Sequence, residues 1–135
     1  MKRHFADAFF FFAWWNRRDR AHGRVEDFLR EFDGHLVTSR WVLMEVADGL
    51  ASTPARREVR ELFAELESDP MVSIIEPDDS LNRRGLALYD ARPDKEWSLT
   101  DCISFVVMAD GGIAEALTGD HHFEQAGFVA LLASV

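Results

Sequence analysis

Four acids far apart in the chain, Asp7, Glu45, Asp101 and Asp120, each sit beside an apolar segment, where an unneeded charge is costly. Carboxylate oxygens are hard ligands, so four of them gathered at one place would bind a divalent metal ion. Taken singly, most have a plainer use. Ser98-Leu99-Thr100-Asp101 fits a capping pattern at a helix start, and Asp120 in Thr118-Gly119-Asp120-His121-His122-Phe123 is placed to cap a short helix. Glu45 lies off the helical stripe Leu43, Val46, Ala47 and Leu50, beside Trp41, Val42 and Gly49, which suits an ordinary exposed side chain. Asp7 interrupts Phe5-Ala6 and the run Ala8 to Trp15 with no neighbouring base. A metal-binding role therefore depends on the elements that carry these residues.

Short strands alternate with longer helices along the sequence. Strands are expected over 2 to 6, 35 to 38, 71 to 76, 113 to 118 and 128 to 132. Helices are expected over 8 to 16, 20 to 33, 40 to 51, from Pro54 to about 67, 79 to 91, 98 to 110 and 121 to 126, with Gly111-Gly112 ending the one before the fourth strand. Crossover helices between strands imply a three-layer α/β/α sandwich around a mainly parallel sheet of about five strands. In such open sheets ligands bind beyond the carboxyl ends of the strands. Asp7 follows the first strand and Asp120 the fourth. Glu45 lies in the first or second turn of the helix after the second strand, and Asp101 starts the helix that runs back into the fourth. All four belong at one rim.

Composition limits the function classes. With 135 residues, 47% hydrophobic and 29% charged, the chain is expected to be one globular domain spanning 1–135 rather than a disordered tail. The formal net charge of −9 argues against a nonspecific nucleic-acid coat but not against a nuclease, because bound cations restore positive charge locally. The lone Cys102 sits in the apolar run up to Ala109 and is expected to be a buried thiol in a reducing compartment, so the cytoplasm is the expected location. Met1-Lys2-Arg3-His4 before Ala8 to Trp15 imitates a signal peptide poorly, since Asp7 breaks the apolar stretch and Arg17-Arg18-Asp19-Arg20 follows. No run approaches the roughly 18 to 20 apolar residues of a membrane-spanning helix.

Four stretches, Phe5-Ala6-Asp7, Ser39 to Leu50, Trp97 to Phe105 and Leu117 to Phe128, in this order resemble the PIN-domain ribonucleases, and within them the VapC-type toxins of bacterial toxin–antitoxin modules. Asp19-Arg20-Ala21-His22 resembles the family's segment after its first helix. The resemblance implies a PIN-like fold and a Mg²⁺- or Mn²⁺-dependent endoribonuclease in which Asp7, Glu45, Asp101 and Asp120 are both metal ligands and catalytic residues. It also implies RNA as substrate, an antitoxin protein as partner and a homodimer. The family commonly places a hydroxyl residue directly after its first Asp, whereas this chain has Ala8-Phe9, so a hydroxyl contact to Asp7 is expected to be missing.

Other constellations give less. A second Asp two residues after Asp7 is absent, and the last lysine, Lys95, precedes the fourth strand, which disfavours aspartyl-phosphate chemistry and receiver domains. His121-His122 offers transition-metal ligands without a spaced partner. The aromatic run Phe9 to Phe12 with Trp14 and Trp15 exceeds one core-facing stripe and suggests a groove or dimer contact. Arg17, Arg18, Arg20 and Arg24, and separately Arg83-Arg84, are candidates for RNA phosphates or an antitoxin. Two rival readings keep the fold: a catalytically weak binding module, and a housekeeping RNA-processing nuclease.

Overall fold

A computed structural model describes residues 2–134. Among them, five strands, β1 (Arg3–Ala6), β2 (His35–Ser39), β3 (Val72–Ile75), β4 (Glu115–Leu117) and β5 (Val129–Ala130), form one sheet in the order β3-β2-β1-β4-β5. Every pairing is parallel, with Phe5 opposite both Val37 and Ala116, Thr38 opposite Ile74, and Ala116 opposite Ala130. The central strand is the most buried: Phe5 and Ala6 are almost wholly covered. Order runs one way from β1 to β3 and the other way from β1 to β5. Right-handed crossovers therefore put helices on both faces and leave a switch point between the carboxyl ends of β1 and β4.

The helices are α1 (Ala8–Trp15), α2 (His22–Glu31), α3 (Arg40–Leu50), α4 (Val59–Ser68), α5 (Asp79–Ala91), α6 (Leu99–Gly111) and α7 (His121–Gln125). Pro54 opens a short 3-10 turn, Pro54–Glu58, before α4, so the expected continuous helix is split there. The last strand is two residues long instead of the expected five, because the chain turns away after Ala130. The apolar sequence of α6 matches its environment, with Cys102, Ile103, Phe105, Val107 and Met108 all buried. That burial requires α5 to approach closely. Gly85 makes this possible, since a β-carbon there would collide with the Ile103 side chain and reach its backbone N and Cα at 3.3 Å.

The faces of α3 and α1 are now defined, and on α1 the half-buried Trp14 and Trp15 line a hollow with Arg17, His22 and Glu26. The buried residues of α3 are Val42, Leu43 and Val46, while Ala47 and Leu50 are only half-buried. The helix is packed by α1, α4 and α6 as well as by β2, so its buried surface is wider than one stripe, and Glu45 on its margin is half-buried rather than exposed. The aromatic residues of α1 are mostly covered within the chain. Phe10 and Phe11 are buried, and Phe9, Phe12 and Trp14 pack on the core because α2 and α3 both lie against this helix. The large apolar side chains left open are elsewhere, including Met44, Leu86 and Tyr89.

Candidate active site

The four acids converge at the carboxyl edge of the sheet, around the switch point. Asp7 follows β1 directly and occupies the N-cap position of α1, yet its side chain makes no capping hydrogen bond. Instead its Oδ2 accepts from the Thr118 hydroxyl at 2.9 Å, across the end of β4. The same Thr118 oxygen accepts from the backbone N–H of Asp120 at 3.1 Å, which fixes the hydroxyl proton on Asp7. Asp120 Oδ1 accepts from the His122 N–H at 2.9 Å, starting α7. The His122 ring, through Nδ1, lies 3.1 Å from Asp101 Oδ2. An unbroken thread of hydrogen bonds thus joins Asp7, Asp120 and Asp101, residues from three separate parts of the chain.

Asp101 also completes a capping box: its backbone N–H donates to Ser98 Oγ at 2.9 Å and its Oδ2 accepts from the Ser98 N–H at 3.1 Å. Capping and convergence are therefore not rival uses of Asp101 and Asp120. In each of the three aspartates one oxygen is engaged, Oδ2 of Asp7, Oδ2 of Asp101 and Oδ1 of Asp120, and the other accepts no hydrogen bond from the described residues. Three free oxygens remain, held in place by their bonded partners.

Glu45 comes from the second turn of α3, which begins at the same edge because Ser39 Oγ caps it by accepting from the Val42 N–H at 3.2 Å. Burial pushes its carboxyl up to about 7, and the charges of Asp7, Asp101, Asp120 and Asp48 add to the effect. Asp7 responds in the same way: burial raises it to about 6 against the opposing hydrogen bond from Thr118, with Asp101 and Asp120 contributing repulsion. Each of these two groups feels the others as neighbours, so all four sequence-identified acids are brought together. Among the described residues no Lys or Arg side chain forms an ion pair with any of them, and their only basic contacts are His121 and His122. The tightest group of potential ligand atoms, all within 4.8 Å of one another, is Asp120, His121 and His122; the four acids do not close this tightly.

Two participants were not identified from sequence. Thr118 supplies the hydroxyl contact to Asp7 that the Ala8-Phe9 sequence led us to expect would be missing. A contact between residues 111 positions apart leaves no local signal. His122 stood out only as a potential transition-metal ligand, whereas its ring nitrogen is engaged with Asp101.

The sequence matches the PIN domain family over residues 5–129, and the chain belongs to that family. Its fold is similar to that of Mycobacterium tuberculosis VapC20, described as a sarcin-ricin loop cleaving toxin, with a TM-score of 0.84 and 26% identity over 93% of this chain and 95% of that one. It is also similar to FitAcB from Neisseria gonorrhoeae, at TM-score 0.68 and 16% identity over 93% and 94% of the two chains. A toxin–antitoxin complex from Klebsiella pneumoniae gives a TM-score of 0.61 at 17% identity, with 87% of each chain covered. A comparison with the sequences of curated proteins finds no match.

Proposed function

We propose that residues 1–135 form a single nuclease domain, a Mg²⁺- or Mn²⁺-dependent endoribonuclease that acts as the toxin of a toxin–antitoxin pair. The observation that carries the proposal is the thread Asp7–Thr118–Asp120–His122–Asp101 within reach of the charge of a half-buried Glu45, with no lysine or arginine among the described residues in an ion pair with the group. Carboxylates held this way are costly without a cation, and their free oxygens are donors suited to a hard divalent ion. Asp7, Glu45, Asp101 and Asp120 would be its ligands. Such an ion lowers the pKa of bound water and stabilises charge developing on the phosphate oxygens.

The chain's own residues do the positioning. Thr118 favours the charged form of Asp7, the Ser98 cap and the His122 ring orient Asp101, and the α7 cap orients Asp120. The likeness to VapC20 supports RNA as the substrate class, and the likeness to the Klebsiella complex supports an antitoxin partner. A homodimer is part of the same proposal, with exposed Leu86 and Tyr89 on α5 as apolar surface for it. No helix among the described residues is long and apolar enough to cross a membrane.

The test is cleavage of single-stranded RNA by purified protein with Mn²⁺, compared with Asp7→Asn and Asp101→Asn. Each substitution is expected to lower the rate at least about 100-fold, in line with the cost of removing a metal or charge-stabilising group. Cleavage that persists in both variants would sink the assigned site. Growth arrest on expression, relieved by a neighbouring small gene, separates a toxin from a housekeeping nuclease.

A further inference from the structure

Next to the acids lies a hollow of about 450 Å³ whose lining includes Phe9, Asp19, Arg20, Arg24, Gly119 and Leu132. It adjoins the site through both walls: Phe9 is two residues after Asp7, and Gly119 immediately precedes Asp120. The Phe9 ring lies directly over Gly119, where any β-carbon would collide with it, so the aromatic face is locked at the border between hollow and site. Four of the eleven other arginines are held in ion pairs. Arg30 pairs with Asp27, Arg40 with Glu76, Arg84 with Asp110 and Arg92 with Asp94. Arg20 and Arg24 form no ion pair among the described residues. Arg24 uses only its Nε, donating to the Leu132 carbonyl at 3.1 Å, which steadies the side chain and leaves the two terminal nitrogens available. The one acid among the described residues lining the hollow, Asp19, accepts from the Ala21 N–H at 2.8 Å through one oxygen and keeps its charge beside the two arginines.

We propose that Phe9, Arg20 and Arg24 form a subsite for the nucleotide next to the scissile phosphate of a single-stranded RNA, with the two guanidinium groups on its phosphate and the Phe9 ring against its base or ribose. This rests on the nuclease reading above. A chain of net charge −9 with an acidic centre repels a polyanion, and cations beside that centre reduce the repulsion. Two unpaired arginines match phosphate geometry, and an aromatic face stacks on any base, which makes the subsite tolerant of sequence.

The experiment measures fluorescence anisotropy of a labelled single-stranded RNA decamer with the full chain in EDTA, where cleavage cannot contribute, across a series of salt concentrations. Arg20→Ala with Arg24→Ala is expected to weaken binding at least about tenfold and to reduce the slope of log affinity against log salt by about 0.7, the one single-strand phosphate that the pair contacts. Arg57→Ala with Arg60→Ala, outside the hollow, is expected to leave both unchanged. With Mn²⁺, the Arg20/Arg24 variant should raise KM while kcat stays within about threefold, and Phe9→Leu should raise KM without altering the salt slope. Should loss of Arg24 lower Tm, Arg20→Ala alone and the Lys pair Arg20→Lys with Arg24→Lys decide the matter: Arg20→Ala is expected to lower the slope by about half as much, and the Lys pair to bind RNA more weakly than wild type at unchanged Tm. Wild-type affinity and salt slope in the Arg20/Arg24 variant overturn the subsite, including the case where only binding of an antitoxin peptide is lost. If wild type cleaves no RNA but the binding loss appears, the nuclease reading fails and the RNA subsite stands.

Discussion

At Asp7 two effects oppose each other. Burial favours the neutral acid, the Thr118 hydroxyl favours the carboxylate, and burial prevails, placing the group at about 6. A folded-state value above the unfolded one means that the folded protein holds the proton more tightly, so the metal-free protein loses stability as pH rises from about 4 through 6. The whole rise, from 3.8 to about 6, corresponds to at most about 3 kcal/mol. Asp7→Asn removes this penalty. It is expected to raise the Tm of the metal-free protein by several degrees at pH 7.5, with the gain vanishing near pH 4, as differential scanning calorimetry would record. An equal gain at both pH values would show that the effect is not ionisation. Thr118→Val tests the opposing term: losing the bond to the charged form should raise Asp7 further and weaken Mn²⁺ binding about tenfold or more, seen by calorimetric titration. Unchanged affinity would reduce Thr118 to a structural contact.

The elements deliver these residues with different legibility. The alternation of strands and helices, the buried character of α6 and the Ser98 capping pattern were all readable, because each is a local pattern that the fold then uses. Glu45 was placed at the right edge, but periodicity left its exposure open. A stripe seen along α3 assumes one packing partner, and this helix has several. Thr118 was illegible for the opposite reason, since its role exists only once β4 lies beside β1. Position of α6 is itself a tertiary matter, set by the close approach of Gly85 to Ile103. Gly85→Ala inserts a methyl group into that contact and is expected to cost about 1 to 3 kcal/mol by chemical denaturation. Because α6 carries Asp101, weaker Mn²⁺ binding should accompany the loss, whereas Gly23→Ala, at a helical position whose β-carbon meets nothing within 4 Å, should raise stability by up to about 1 kcal/mol and leave metal binding unchanged. A normal metal affinity in the Gly85 variant would mean that Asp101 is held by its cap and His122 alone.

For the whole molecule, the sheet order places the carboxyl ends of β1 and β4 side by side, so the fold gathers carboxylates that local sequence would keep apart. Folding and ion binding are then linked through protons. Asp7 at about 6 and Glu45 at about 7 are both partly protonated near neutrality, and a metal ion that uses their oxygens must displace those protons. Titrations of Mn²⁺ in buffers of different ionisation enthalpy should therefore show release of about one proton or more per protein at pH 6 and almost none at pH 8. Affinity should rise over the same interval. The metal-free protein becomes less stable as pH increases while the metal-bound one, whose carboxylates stay ionised, holds steady, so the difference in Tm between them should widen from pH 5.5 to 8. If proton release is the same at pH 6 and pH 8, the ion binds away from these two carboxylates, and the shared site at the switch point is wrong.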